Sequence, residues 1–163
     1  MKIRNSIAIA GVIALGLQIT AVLGQNFEVV KTNVDVAVVV NSKNPVSSLT
    51  MPALRKLFAG ETRTWPGGAT VKLIIRAQGA HEREVVLRLL HFSEDEYSRY
   101  WINQAYRGEG IEPVAVFSNG TQKEAVISIS GAIALVDARD VKPGMKVLKI
   151  EGKMPGEGGY PLH

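Results

Sequence analysis

Apolar and polar positions along this chain fall into two rhythms. Four short runs are dense in apolar, mostly β-branched residues: 36–40 (VAVVV), 71–75 (VKLII), 132–136 (AIALV) and 147–150 (VLKI). A strand with one wet face alternates apolar and polar side chains, so near-continuous runs predict strands covered on both faces by helices. All four are expected in a single sheet. Between them lie segments with the 3.6-residue period of amphipathic helices. Leu54, Leu57 and Phe58 share one face behind Thr50, an expected N-cap, and Pro52, whose missing N–H costs no helical bond in the first turn. Gly60 supplies a left-handed stop. Val85, Val86, Leu89 and Leu90 form the stripe of a second helix. Ser93 and Glu96 have capping-box spacing for a third, with Tyr97, Trp101 and Ala105 on its inner face and Tyr100 beside them. Residues 114–117 read as a short strand. Thr121 and Glu124 repeat the capping-box spacing before a fourth helix, whose expected buried side is Ala125, Val126 and Ile129. Residues 145–150 make the last strand, and residues 27–35 lead in as an edge strand.

The resulting order, βαβααβαβ, is that of an α/β fold: a three-layer sandwich with a mostly parallel sheet between helices. Residues 36–60 read as the first half of a βαβ unit. No repeat or linker divides the chain, and 163 residues suit one domain with a sizeable core.

The first 24 residues are set apart. Lys2 and Arg4 precede an apolar run from Ser6 to Leu17, and Val22 and Gly24 are small enough for the −3 and −1 positions of a signal-peptidase site. The stretch is expected to be a signal peptide, or an uncleaved N-terminal anchor, since Ser6 to Gly24 is 19 residues without a charge. Either way the domain (25–163) is exported. Removing Lys2 and Arg4 lowers the net charge from +4 to about +2. No basic run is interleaved with aromatics, which argues against nucleic-acid binding. There is no cysteine, and His81, His91 and His163 lack ligand spacing, so no metal or cofactor is expected.

A family resemblance rests on residues 38–65. VVVN followed by NPVSSLTMPALRKLFAGETRTW resembles a segment of the phosphate-type periplasmic binding proteins, the solute receptors of ABC importers. The turn from Arg76 to Gly79, the stretch from Trp101 to Gly110, GAIALVD and the closing GYPL follow in matching order. The resemblance implies one lobe of a type II periplasmic binding protein, a fold whose receptors hold ligand in a cleft between two lobes. It covers the later part of a full receptor. The expected partners are therefore a small anion such as phosphate, an ABC transporter permease, or a second lobe supplied by a homodimer. Trp65 and the tail 160–162 are candidate pairing surfaces, with packing on their own domain as the other reading.

Ligands of parallel α/β sheets bind beyond the carboxyl ends of the strands, where helix N-termini point N–H groups outward. That places the candidate site at Asn41, Arg76, Gln78, Gly79, Ser118, Thr121 and Asp137. Arg76 has the fork geometry for an oxyanion, and Gly79 lets backbone N–H groups approach one. The resemblance implies a serine after that glycine, where this chain has Ala80. Glu82 and Glu84 begin the next helix and oppose an anion. For Arg76 an ion pair with Asp137, Glu82 or Glu84 is expected ahead of a ligand, and helix capping is expected of Ser118 and Thr121. No nucleophile elbow or Walker loop is present, so no catalytic residue is assigned. Two functions remain: a solute-binding module, or a single-lobe envelope interaction and assembly domain without a small ligand.

Overall fold

The computed structural model describes residues 34–108 and 112–163. The expected leader and most of the lead-in strand lie outside the described residues. In chain order the elements are β1 (Val36–Asn41), β2 (Ser48–Leu49), α1 (Met51–Phe58), β3 (Lys72–Arg76), α2 (His81–Leu90), α3 (Glu94–Tyr106), β4 (Val114–Val116), α4 (Asn119–Ser128), β5 (Ala132–Asp137), a 3-10 turn (Ala138–Asp140), β6 (Met145–Val147) and β7 (Lys149–Ile150). Among the described residues no helix is long and apolar enough to cross a membrane.

Five strands form the central sheet in the order β4-β3-β5-β1-β6. β3 pairs in parallel with β4 and β5, while β1 runs antiparallel to both β5 and β6. Four strands therefore point one way, and the sheet is mostly parallel. The exception corrects the expected βαβ unit, because β1 enters in the opposite sense to β3. Burial on both faces produces the same apolar run in either direction, so the pattern of residues 36–40 carries no direction.

Alternate residues of each strand feed two cores, as the pleat requires. Val36, Val38, Val40, Leu73, Ile75, Ile133 and Leu135 face the layer built by α1, α2 and α3. Ala37, Val39, Ile74, Ala132, Ala134 and Val136 face Val126 of α4. This second face is rich in alanine, which lets a single helix lie close to the sheet. Helices on both sides make the three-layer sandwich.

Local signals act where expected at the first three helices. Thr50 accepts a hydrogen bond from the Ala53 N–H, and Gly60 adopts φ +72° just past α1. Both halves of the Ser93/Glu96 capping box are formed. Leu54, Phe58, Val86, Leu90 and Trp101 are all buried. Ala105 and Ile129 are exposed: Ala105 lines an open groove together with Ile75 and Ala115, and Ile129 lies beyond the last turn of α4. At the fourth helix the capping expected of Ser118 is observed, its hydroxyl accepting from the Thr121 N–H at 3.0 Å, whereas Thr121 lies inside the first turn of α4 and is not its N-cap. Ser118 is likewise spaced for N-capping, and sequence alone offered two hydroxyls three residues apart.

The expected last strand is split between two sheets. β6 pairs with β1, and the Leu148 N–H still donates to Val38, but the Lys149 N–H donates to Ser47 and β7 pairs in parallel with β2. Leu148 and Ile150 point into the same core on either side of this change of partner, so alternation alone does not reveal it. The proposed pairing surfaces are likewise interior to the domain. Trp65 is buried with its indole N–H donating to the Gly131 carbonyl at 3.0 Å. Tyr160 and Leu162 are buried, and Tyr160 donates to the Val36 carbonyl at 2.9 Å.

Candidate functional site

Because β3, β4 and β5 are parallel, their carboxyl ends share one edge of the sheet. Arg76 ends β3, Asp137 ends β5, and Ser118 follows β4 at the start of α4. Asn41 is not there. β1 is reversed, so Val36 pairs with Asp137, while Asn41 lies at the other end opposite Met145. Its buried amide donates to the Val126 and Ile127 carbonyls at 3.0 and 2.7 Å, and its side-chain oxygen accepts from the Lys43 N–H. Asn41 thus closes the C-terminal end of α4. Asn41→Ala leaves those carbonyls without their donor and is expected to cost about 2 kcal/mol, read as a lower denaturant midpoint.

At the shared edge, Arg76 does not make the expected ion pair. Asp137 is taken by Arg139, which approaches at 2.7 Å. Hydrogen bonds from the Arg139 guanidinium hold the Asp137 carboxyl below the usual carboxylate range, with the Arg139 backbone N–H adding to the effect and partial burial opposing it. No carboxylate among the described residues lies within ion-pair distance of Arg76. Its Nη1 donates to Asn119 Oδ1 at 3.3 Å, and its buried Nε has no hydrogen-bond partner among the described residues. The chain of contacts continues from Asn119 Nδ2 to Asp140 at 2.7 Å, and from Lys123 Nζ to Asp140 at 3.2 Å.

The remaining site residues are less available. Ser118 and Thr121 hydroxyls are 2.8 Å apart and engage each other. Gln78 is exposed. Gly79 has φ +88° with open space around its Cβ position, so the turn's backbone, not crowding, selects glycine. α2 starts at Ala80 without a side-chain cap, but Glu82 and Glu84 occupy its first turn.

A family model described as a PBP superfamily domain matches residues 27–160. The chain belongs to this superfamily. Comparison with curated protein sequences gives no match. Among solved structures, an ABC-type phosphate transport receptor from Vibrio cholerae is 21% identical with a TM-score of 0.62, over 75% of this chain and 48% of that one. A putative phosphate ABC transporter substrate-binding protein with bound phosphate, from Clostridium perfringens, is 19% identical with a TM-score of 0.61, covering 75% of this chain and 47% of that one. A phosphate binding protein from Stenotrophomonas maltophilia is 15% identical with a TM-score of 0.59, over 75% and 40% of the two chains. At these identities the likeness is one of fold. The chain spans about half the length of the first two receptors.

Within this PBP lobe, sequence reasoning missed Lys123 and Asp140, and counted Asn119 only as part of the loop 118–121 that converges on the site. Asn119 and Lys123 are four residues apart and share a face of α4, a spacing that becomes visible once Ser118 is taken as the cap. Lys123 is buried despite its charge, with Asp140 as its partner.

Proposed function

We propose that this chain is an exported solute-binding lobe that holds a small oxyanion, of which phosphate is the first to test, at the carboxyl edge of β3, β4 and β5. The observation that carries the reading is Arg76: a buried guanidinium nitrogen without a partner among the described residues, beside the first turn of α4. Guanidinium–oxyanion bonds are charge-assisted, and a helix N-terminus adds favourable dipoles. The reading is one of binding, since the Ser118 hydroxyl pairs with Thr121 and no base in the described structure activates it.

Affinity should be low in the isolated chain. Burying a dianion without several convergent donors costs far more than one arginine returns. Ala80 offers no hydroxyl, and Glu82 and Glu84 stand beside the same loop. A second lobe, from another copy or another protein, would supply the missing donors, and a transporter permease is the partner this role implies. Titration of the purified chain with phosphate at moderate salt is expected to give a dissociation constant no tighter than ~1 mM, or about −4 kcal/mol. Arg76→Ala should abolish what binding there is. A response unchanged by that substitution would remove the site. A micromolar constant lost with Arg76 would make the chain a receptor without a second lobe.

A second reading has its own observation. Phe117, just past the edge strand β4, is 88% exposed, and Val114 within that strand is also exposed. An assembly domain that ignores anions would use this surface. Sedimentation of the chain and of a Phe117→Ser variant separates the two, since only the assembly reading expects association that Phe117→Ser dissolves.

A further inference from the structure

β4 is the outermost strand on its side of the sheet, and among the described residues no strand pairs with its free edge. The backbone along that edge has a definite pattern. The Val116 carbonyl accepts from the Ala77 N–H at 2.9 Å, so Val116 turns its peptide groups toward β3. Peptide groups alternate in direction along a strand. The Ala115 N–H and carbonyl, the Pro113 carbonyl and the Phe117 N–H therefore point away from the sheet. Ser118 still has extended angles, φ −123° and ψ 150°, so the extended chain continues through Phe117 before α4 begins.

The same edge carries a projection and a recess. An open groove of about 320 Å³ runs beside β4, with Ile75, Pro113 and Ala115 on its sheet side and Ile102 and Ala105 on its α3 side. Side chains alternate between the two faces of a strand, so Phe117 belongs to the face of Pro113 and Ala115. Yet Phe117 does not line the groove of its own chain and stands in water.

We propose that two copies of this chain pair through β4, antiparallel about a two-fold axis at Ala115, each placing Phe117 in the other's groove. The register follows from the backbone. Ala115 opposite its own copy exchanges two hydrogen bonds, and on either side a Phe117 N–H meets the other copy's Pro113 carbonyl. Pro113 has no N–H to leave unpaired there. Opposite residues of an antiparallel pair share a face, so each Phe117 ring lies over the other copy's Pro113, which lines the groove. Each chain thus offers the same projection and the same recess, as a two-fold interface requires. Charge agrees with this register. It sets the exposed Glu112 opposite Ser118, the N-cap of the other copy's α4, where the helix dipole favours a carboxylate. The proposal rests on the assembly reading of Phe117 and adds to it the partner and the register.

Sedimentation of the purified chain from about 5 µM to about 1 mM tests it, since small interfaces are weak. The parent is expected to pass from monomer to dimer within that range. Phe117→Ser removes the projection and Ala105→Trp fills the recess, and each should raise the dissociation constant at least ~10-fold. An equal mixture of the two should associate more tightly than either alone, because one intact Phe117 then meets one open groove. Ala115→Pro should also prevent pairing. The N–H it removes faces away from β3, so circular dichroism should match the parent monomer. The chain has no cysteine, which allows a direct check of the axis. Facing residues of a hydrogen-bonded antiparallel pair have Cα atoms about 5.5 Å apart, within the ~4.4–6.8 Å that a disulfide spans. Ala115→Cys should therefore cross-link to its own copy on mild oxidation, much faster than Lys43→Cys, which is exposed just past β1. A chain that stays monomeric at the highest concentration overturns both this proposal and the assembly reading. Association lost with Phe117→Ser but kept with Ala105→Trp and Ala115→Pro overturns this proposal alone, as does equal cross-linking of the two cysteine variants.

Discussion

Gly131→Ala is expected to destabilise the domain by about 3–5 kcal/mol, the range of the most damaging single substitutions. The cause is steric and falls on backbone. A Cβ at residue 131 would sit 1.8 Å from the Thr70 carbonyl oxygen and 3.0 Å from its carbon. A side chain could rotate away from such a clash, but the chain entering β3 cannot, because it is tied to the same residue. The Gly131 carbonyl accepts from the Lys72 N–H at 2.9 Å and from the Trp65 indole at 3.0 Å. Separating residues 70 and 131 therefore loosens the β3–β5 register and the buried tryptophan together. Gly79→Ala is the control. There φ is +88° with open space around the Cβ position, so the penalty is conformational alone and is expected to be about 1 kcal/mol. Denaturant midpoints of the two variants check the contrast. Equal shifts, or a Gly131→Ala protein as stable as its parent, would show that the close approach to Thr70 relaxes freely.

Much of the architecture was legible because it depends on local chemistry and on period. Thr50, Pro52 and Gly60 bracket α1 as their backbone preferences require. The stripe of Val85, Val86, Leu89 and Leu90 faces the core as its spacing demands. Strand direction was a different matter. Residues 36–40 are fully buried, and a run apolar on both faces reads the same from either end. Reversal of β1 followed from pairing alone, and with it Asn41 left the candidate site for the C-terminal end of α4. The split of residues 145–150 is of the same kind: alternation survives while the partner strand changes.

The candidate site was legible as a place more than as a set of contacts. Arg76 stands at the expected edge, but its expected carboxylate partner does not. Asp137 is only two residues from Arg139, and the short loop brings those charges together before Arg76 can compete. Such near-neighbour pairing is visible in the sequence once the strand is known to end at Asp137. Burial of Gln122 and Lys123 was not foreseeable in the same way. Polar residues enter a core only with specific partners, here the Ile74 carbonyl and Asp140, which belong to distant parts of the chain.

Phe58→Ala should cost about 3–5 kcal/mol, as large-to-small changes of buried aromatics do. The argument runs through the helix that carries it. α1 has eight residues, too few to be stable as an isolated helix. Its existence depends on docking Leu54, Leu57 and Phe58 into the layer shared with α2 and α3, and Phe58 is the largest of the fully buried side chains. Truncation leaves a cavity and weakens the hold on the whole helix. Two contacts next to it then come under strain: the Tyr100 hydroxyl bond to the Ala59 carbonyl at 2.7 Å and the Arg55 bond to the Leu89 carbonyl at 2.9 Å. Hydrogen exchange should therefore show lost protection concentrated in residues 54–60, beyond the overall fall in midpoint. Phe58→Leu keeps most of the volume and should cost about 1 kcal/mol, without the local opening. A Phe58→Ala midpoint close to that of the parent would mean that the α1 layer repacks around the gap. Exchange that accelerates uniformly would mean that α1 unfolds only with the rest of the domain.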